Sequence, residues 1–165
     1  VKHADKAALR LLYERHAAGL TAFVGQTLGD PVEAADIVHE AFISVWEKAS
    51  GFRETLSFRA WLYTIGRNKA VDRLRKGTRT VLREPDEAQP DLDPDPEQVV
   101  LACDDVSRVQ ACLEKLSSAH RRVVSLAFYE DLTYREISGI EDVSEGTVKS
   151  RIFHAKKLLM HCLSQ

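Results

Sequence analysis

From Glu84 to Glu97 the chain reads EPDEAQPDLDPDPE. Seven carboxylates and four of the chain's five prolines fall in this stretch. Like charges repel, prolines withhold backbone donors, and no apolar face can form, so the segment cannot join a packed core. Residues 80–97 therefore read as a flexible linker. The fold must be built as two units, over residues 1–79 and 98–165.

Both units read as helical, because apolar residues recur at periods of three and four and strand signals are weak. A first helix is expected from Asp5 to about Leu28, with Leu9, Leu12, Ala17, Leu20 and Val24 as its stripe, ended by Gly29-Asp30-Pro31. A second covers about Val32 to Ala49 and buries Ala35, Val38, Phe42, Val45 and Trp46. After the loop FRETLS a third runs from Phe58 to about Lys76. The second unit opens near Gln98, with Val99, Val100, Val106, Val109 and Leu113 buried up to Leu116. The fold class is all-α, two small helical bundles joined by an acidic linker.

The net charge of −2 conceals a segregation. Arg59, Arg67, Lys69, Arg73, Arg75, Lys76 and Arg79 stand against Asp72 alone, so residues 59–79 carry 7 − 1 = +6. From Gly146 to Gln165 there are four cations and no carboxylate side chain. Local fields of this kind attract a polyanion whatever the total.

The end of the chain is the most specific. Ser117-Ser118 can cap a helix through AHRRVVSLAFYED. Thr133-Tyr134-Arg135-Glu136 is a capping box. It opens a short helix with Ile137 and Ile140 facing inward. A turn at Asp142-Val143 leads to Ser144, the N-cap of a last helix. At 100° per residue Val148, Ile152 and Ala155 share one face, while Ser150, Phe153 and Lys157 lie opposite. A short helix, a tight turn and a basic amphipathic helix make a helix-turn-helix; an ordinary helical hairpin has the same layout.

Three stretches, DIVHEAFISVWEKA, FRAWLYTIGRNKAVDRLR and LTYREISGIEDVSEGTVKSRIFHAKKLL, resemble in order the signatures of the extracytoplasmic-function sigma factors, the small group of the sigma-70 family that keeps only the sigma-two and sigma-four domains. The resemblance covers nearly all of the chain. It implies a sigma-two domain over 1–79, a sigma-four domain over 98–165, and a protein that binds core RNA polymerase, reads the minus-ten and minus-thirty-five promoter elements and promotes melting. It implies no enzyme and no cofactor. Its partners would be the polymerase clamp helices and flap, promoter DNA and an anti-sigma factor, in the cytoplasm or held at the membrane through that inhibitor.

By the same resemblance, Asp36, His39, Glu40, Phe42, Trp46 and Glu47 form the docking surface for core polymerase. Phe52, Trp61 and Asn68 line a pocket for a flipped minus-ten base, whose lost stacking an aromatic or polar pocket must offset. Arg67, Lys69, Arg73 and Arg75 contact phosphates. Gly146, Lys149, Ser150, Arg151, Phe153, His154 and Lys157 face the minus-thirty-five element, where Phe153 can touch a thymine methyl. Trp61 fits a plain core position equally well, and Phe153 fits packing on a neighbouring helix. Asp142 stands where the family usually has glycine, and Asp tolerates the left-handed conformation. Asp36, His39 and Glu40 have the spacing of a metal site but lack a further ligand in register. Two other functions use the same elements: a sigma-like mimic that only sequesters an anti-sigma factor, and a generic helix-turn-helix regulator.

Three scattered cysteines, Cys103, Cys112 and Cys162, without a CxxC pair, are expected as reduced thiols. The chain opens on a charged, amphipathic VKHADKAALR rather than an apolar leader, and no apolar run reaches the roughly 20 residues of a membrane span, so no membrane insertion is expected.

Overall fold

The computed structural model describes residues 5–52, 57–80 and 105–165. Among them are seven α-helices: α1 (Lys6–Leu28), α2 (Pro31–Lys48), α3 (Phe58–Thr80), α4 (Asp105–Glu114), α5 (Ser118–Phe128), α6 (Tyr134–Glu141) and α7 (Glu145–Leu163). A single 3-10 turn, Ala49–Gly51, follows α2. Apart from its first residue, the expected linker lies outside the described residues, as do Val99 and Val100. Thr80 itself ends α3, one turn beyond the expected end at Lys76.

The boundaries follow from local chemistry. Asp5 caps α1 by accepting from the amides of Ala7 and Ala8. Gly29 closes that helix at φ 74°, a left-handed conformation that glycine adopts without Cβ strain. Asp30 then caps α2, with Pro31 at the first helical position, where its missing N–H costs nothing. Thr133 and Glu136 form the capping box of α6. Asp142 ends α6 at φ 54°, ψ 47°, as the turn required. Ser144 accepts from the Thr147 amide and starts α7.

The stripes shift in detail. In α2 the buried set is Ala34, Ile37, Val38, Ala41, Phe42, Ser44 and Val45; Ala35 is exposed, because the core covers the arc through Ala34 and Ala41 instead. In α1 Leu20, Phe23 and Val24 are buried, while Leu9, Leu12 and Ala17 are only partly covered. Val109, expected inside, is exposed on α4.

The two units are not separate bodies. One apolar cluster runs from Leu20, Phe23, Ile37 and Tyr63 of α1–α3 through to Leu126, Ile137, Ile140 and Val148 of α5–α7. α6 packs on α3, and α5 packs on α1. A smaller cluster, Leu116, Val124 and Ala155, holds α5 and α7 together behind the residues that follow α4.

The cysteine expectation is overturned. Cys112 of α4 and Cys162 near the end of α7 form a disulfide, with Cα atoms 5.9 Å apart. Packing of α4 on α7 brings together residues 50 apart in sequence. Spacing alone could not show this. Arg108 fastens the same seam, donating to the Leu163 carbonyl at 3.2 Å. Cys103 lies outside the described residues.

Candidate nucleic-acid and protein interfaces

The last helix separates its two faces cleanly. Val148, Ile152 and Ala155 are buried. On the other side Gly146, Lys149, Ser150, His154 and Lys157 are exposed, and Phe153 is 66% exposed. Its ring touches His154, edge to face, with centroids 5.7 Å apart. A phenylalanine held in water by a well-capped helix does not pack the core, so the packing alternative for Phe153 has no partner helix among the described residues. Its apolar ring among cations can meet a base edge while the cations meet phosphates.

Arg151 differs from its neighbours. It is half-buried and turns back to Glu141, Nη1 to Oε2 at 3.9 Å. Glu141, at the end of α6, is only 3% exposed. Arg122 of α5 grips it with two contacts of 3.0 Å, Nε to Oε1 and Nη2 to Oε2. A buried carboxylate held this way ties α5, α6 and α7 together at the turn, and removing one partner would be destabilising because it strands an uncompensated charge. Arg151 thus stands in the ion cluster of the turn rather than on the exposed basic face. Arg122 and Glu141 carried no signal in sequence, since a pair 19 apart has no helical register.

In the first unit Phe52 and Trp61 come together, with ring centroids 4.9 Å apart. Phe58, which the sequence did not single out, completes an aromatic cluster at 6.4 Å from Phe52 and 6.2 Å from Trp61. Trp61 is half-buried against the core, so it serves both as packing and as one wall of this cluster. Asn68 is exposed on the same face of α3. It stands seven residues on, about 10 Å along the axis. The three residues therefore line a strip rather than a closed pocket.

The cations of α3 divide. Arg75 is exposed. Lys69 and Arg73 reach across to Glu40 of α2, at 3.7 and 3.1 Å. These half-exposed pairs are worth little, about 0–1 kcal/mol, and can exchange for phosphate. Arg67 instead donates to the Glu141 carbonyl of α6 at 3.0 Å.

On the outer side of α2, Asp36, His39, Glu40 and Glu47 are exposed, Trp46 is half-buried, and Phe42 is buried at 4% exposure. Phe42 packs on Tyr13 with centroids 4.9 Å apart, so it shapes the surface from beneath. An apolar groove of about 490 Å³ opens there, lined by Leu9, Tyr13, His39, Phe42, Ile43 and Trp46. Tyr13 and Ile43, both well exposed, were missed; an isoleucine beside Phe42 but outside the core stripe was the available signal. Among the described residues no cluster of His, Cys, Asp and Glu could hold a metal, and no helix is long and apolar enough to cross a membrane.

Residues 12–80 match the family model of sigma-70 region 2, and residues 107–159 match that of sigma-70, region 4. The chain is 32% identical over 164 residues to the ECF RNA polymerase sigma factor SigL of Mycobacterium tuberculosis, covering 98% of this chain and 92% of that protein. It is 31% identical over 153 residues to the ECF RNA polymerase sigma factor RpoE of Cereibacter sphaeroides, covering 91% and 83%. Among solved structures it resembles the sigma factor RpoE in complex with the anti-sigma factor NepR from Bartonella quintana, with a TM-score of 0.66, 24% identity and coverage of 94% and 96%.

Proposed function

The chain belongs to the ECF RNA polymerase sigma factors, and we propose that its two helical units divide promoter recognition between them. It binds core RNA polymerase, recognises minus-ten and minus-thirty-five elements and promotes melting. The observation that carries this reading is the outward face of α7, where Phe153, 66% exposed, stands among Lys149, Ser150, His154 and Lys157. That face reads the minus-thirty-five element: cations fix the register on phosphates and Phe153 and Ser150 meet base edges. The strip Phe52–Trp61–Asn68 receives an unstacked minus-ten base, and Arg75, Arg73 and Lys69 hold the backbone. The groove of Tyr13, Ile43 and Trp46, with the carboxylates of Asp36, Glu40 and Glu47 at its side, docks on core polymerase at the clamp helices. An anti-sigma factor, such as the one solved with the Bartonella relative, controls access to these faces. The chain catalyses no reaction of its own, works in the cytoplasm and needs no cofactor.

Run-off transcription with purified core enzyme, across a genomic promoter pool, tests the proposal. Promoter-specific transcripts that depend on this protein are expected. A folded protein that yields none, while still binding an anti-sigma partner, would be a mimic.

A further inference from the structure

One carboxylate stands where two surfaces of the first unit meet. Glu40 belongs to the exposed stripe of α2 that also carries Asp36, Ile43 and Glu47, because successive members lie three or four residues apart. That stripe borders the groove assigned to core polymerase, of which Ile43 is one wall. Yet the Glu40 side chain crosses to α3. Its Oε1 accepts from Arg73 at 3.1 Å, and its Oε2 stands 3.7 Å from Lys69. Of the three carboxylates in the stripe, Glu40 is the one ion-paired to α3 among the described residues. Its partners are the cations that promoter binding would place on phosphate.

We propose that Glu40 stands in for phosphate: in the free protein it fills the seat of a promoter phosphate on α3, and core polymerase frees that seat by drawing the carboxylate into its own interface. Resting on the sigma-factor reading above, this exchange ties the protein's two binding events together.

The seat is a row on α3. Lys69, Arg73 and Lys76 follow one another at intervals of four and three, and with Ile37, Glu40 and Asp72 they line a cavity of about 170 Å³ between α2 and α3. Three cations meet two carboxylates there, so the lining carries 3 − 2 = +1. Withdrawing Glu40 raises that to +2, since Asp72 stays on α3. A phosphate presents anionic acceptor oxygens, as a carboxylate does, and the two compete for the same donors.

Exposure makes the exchange feasible. The side chains of Lys69 and Arg73 are 29% and 35% exposed, and that of Glu40 is 47% exposed. Ion pairs this wet are weak, so the two together bias the seat by about three- to tenfold in affinity. An interface can overcome that. It needs a cation or an N–H donor to meet Glu40, because a carboxylate covered by a partner must be paired. Linkage makes the effect reciprocal: DNA in the seat releases Glu40 for the polymerase by the same factor.

The test uses the full chain. Glu40→Gln removes the charge and keeps the shape; Glu40→Asp keeps the charge on α2 and shortens its reach to α3. Glu14→Gln, an exposed carboxylate paired with Arg10 on α1, controls for net charge. Fluorescence anisotropy across a salt series gives affinity for a minus-ten non-template single strand, first for the free protein and then with saturating core polymerase. Free Glu40→Gln is expected to bind the strand about three- to tenfold more tightly than the wild type, with a salt slope steeper by about 0.7. Free Glu40→Asp should share the gain, and Glu14→Gln should not. With core bound, every variant should bind the strand as tightly as the wild type, whose seat is then already free. An equal gain in free protein and holoenzyme would make Glu40 a plain repulsive charge beside DNA and overturn the proposal. So would no gain in the free Glu40 variants, the same gain from Glu14→Gln, or no binding by any free protein at the lowest salt. Glu40→Asp, which keeps its charge on the docking stripe, carries the comparison with core if Glu40→Gln no longer joins it. A gain that appears and vanishes as expected, in a protein that yields no promoter-specific transcript, leaves the exchange standing and removes the promoter reading.

Discussion

Replacing Phe153 by alanine should separate recognition from folding. The ring is 66% exposed, so of its roughly 150–250 Å² about 100–160 Å² faces water in the free protein. Little packing is lost, and a surface substitution of this kind changes stability by no more than about 0.5 kcal/mol. For a unit this small that is a shift of a few degrees in melting temperature. Bound DNA is different. If a thymine methyl and its sugar cover about 60 Å² of the ring, the lost contact is worth about 1.5 kcal/mol at ~25 cal/mol/Å². That weakens the preferred minus-thirty-five sequence about tenfold and leaves scrambled duplex almost untouched. Lys157→Ala should do the opposite. One phosphate contact fewer lowers the salt slope by about 0.9 and weakens target and scrambled duplex alike. The assay is a salt titration of binding to both duplexes for both variants, beside thermal melts. If Phe153→Ala weakens both duplexes equally, or lowers the melting temperature by ten degrees, the ring is a packing residue and the assignment of this face fails.

Asn68→Ala should impair promoter opening, seen by permanganate footprinting, without changing stability, since Asn68 is exposed. Trp61→Ala should impair opening and also destabilise, because its ring packs on the core. Reducing the Cys112–Cys162 bridge, which spans 50 residues, should cost about 4 kcal/mol in chain entropy; unchanged denaturant midpoints with and without dithiothreitol would contradict this. Burial would raise the pKa of Glu136, but hydrogen bonds from Ser57 and Thr133 outweigh it and hold the group below its usual value. A depressed carboxylate contributes stability that is present above its unfolded pKa and lost as pH falls through the folded one. Acid should therefore loosen the start of α6 and the seam with α3, with Glu136→Gln showing a flatter pH dependence in hydrogen exchange.

Helix identity, caps and the two faces of α7 were legible in sequence because their causes are local. The capping box at Thr133, the left-handed Asp142 and the stripe Val148–Ile152–Ala155 each need only residues three or four apart. The basic blocks and the three ordered motifs likewise lie in continuous stretches, which is why the family and its domain order could be read from the chain. What tertiary structure decided are meetings between residues far apart. Cys112 finds Cys162 because α4 packs on α7, and Arg122 finds Glu141 because α5 packs on α6. Tyr13 meets Phe42 and lines the same groove as Ile43 because α1 packs on α2. Arg67, expected on phosphate from the resemblance, is turned to a carbonyl of the other unit. A sequence fixes which groups a helix offers on each face; which of them water, a partner or another helix receives depends on how the faces are packed.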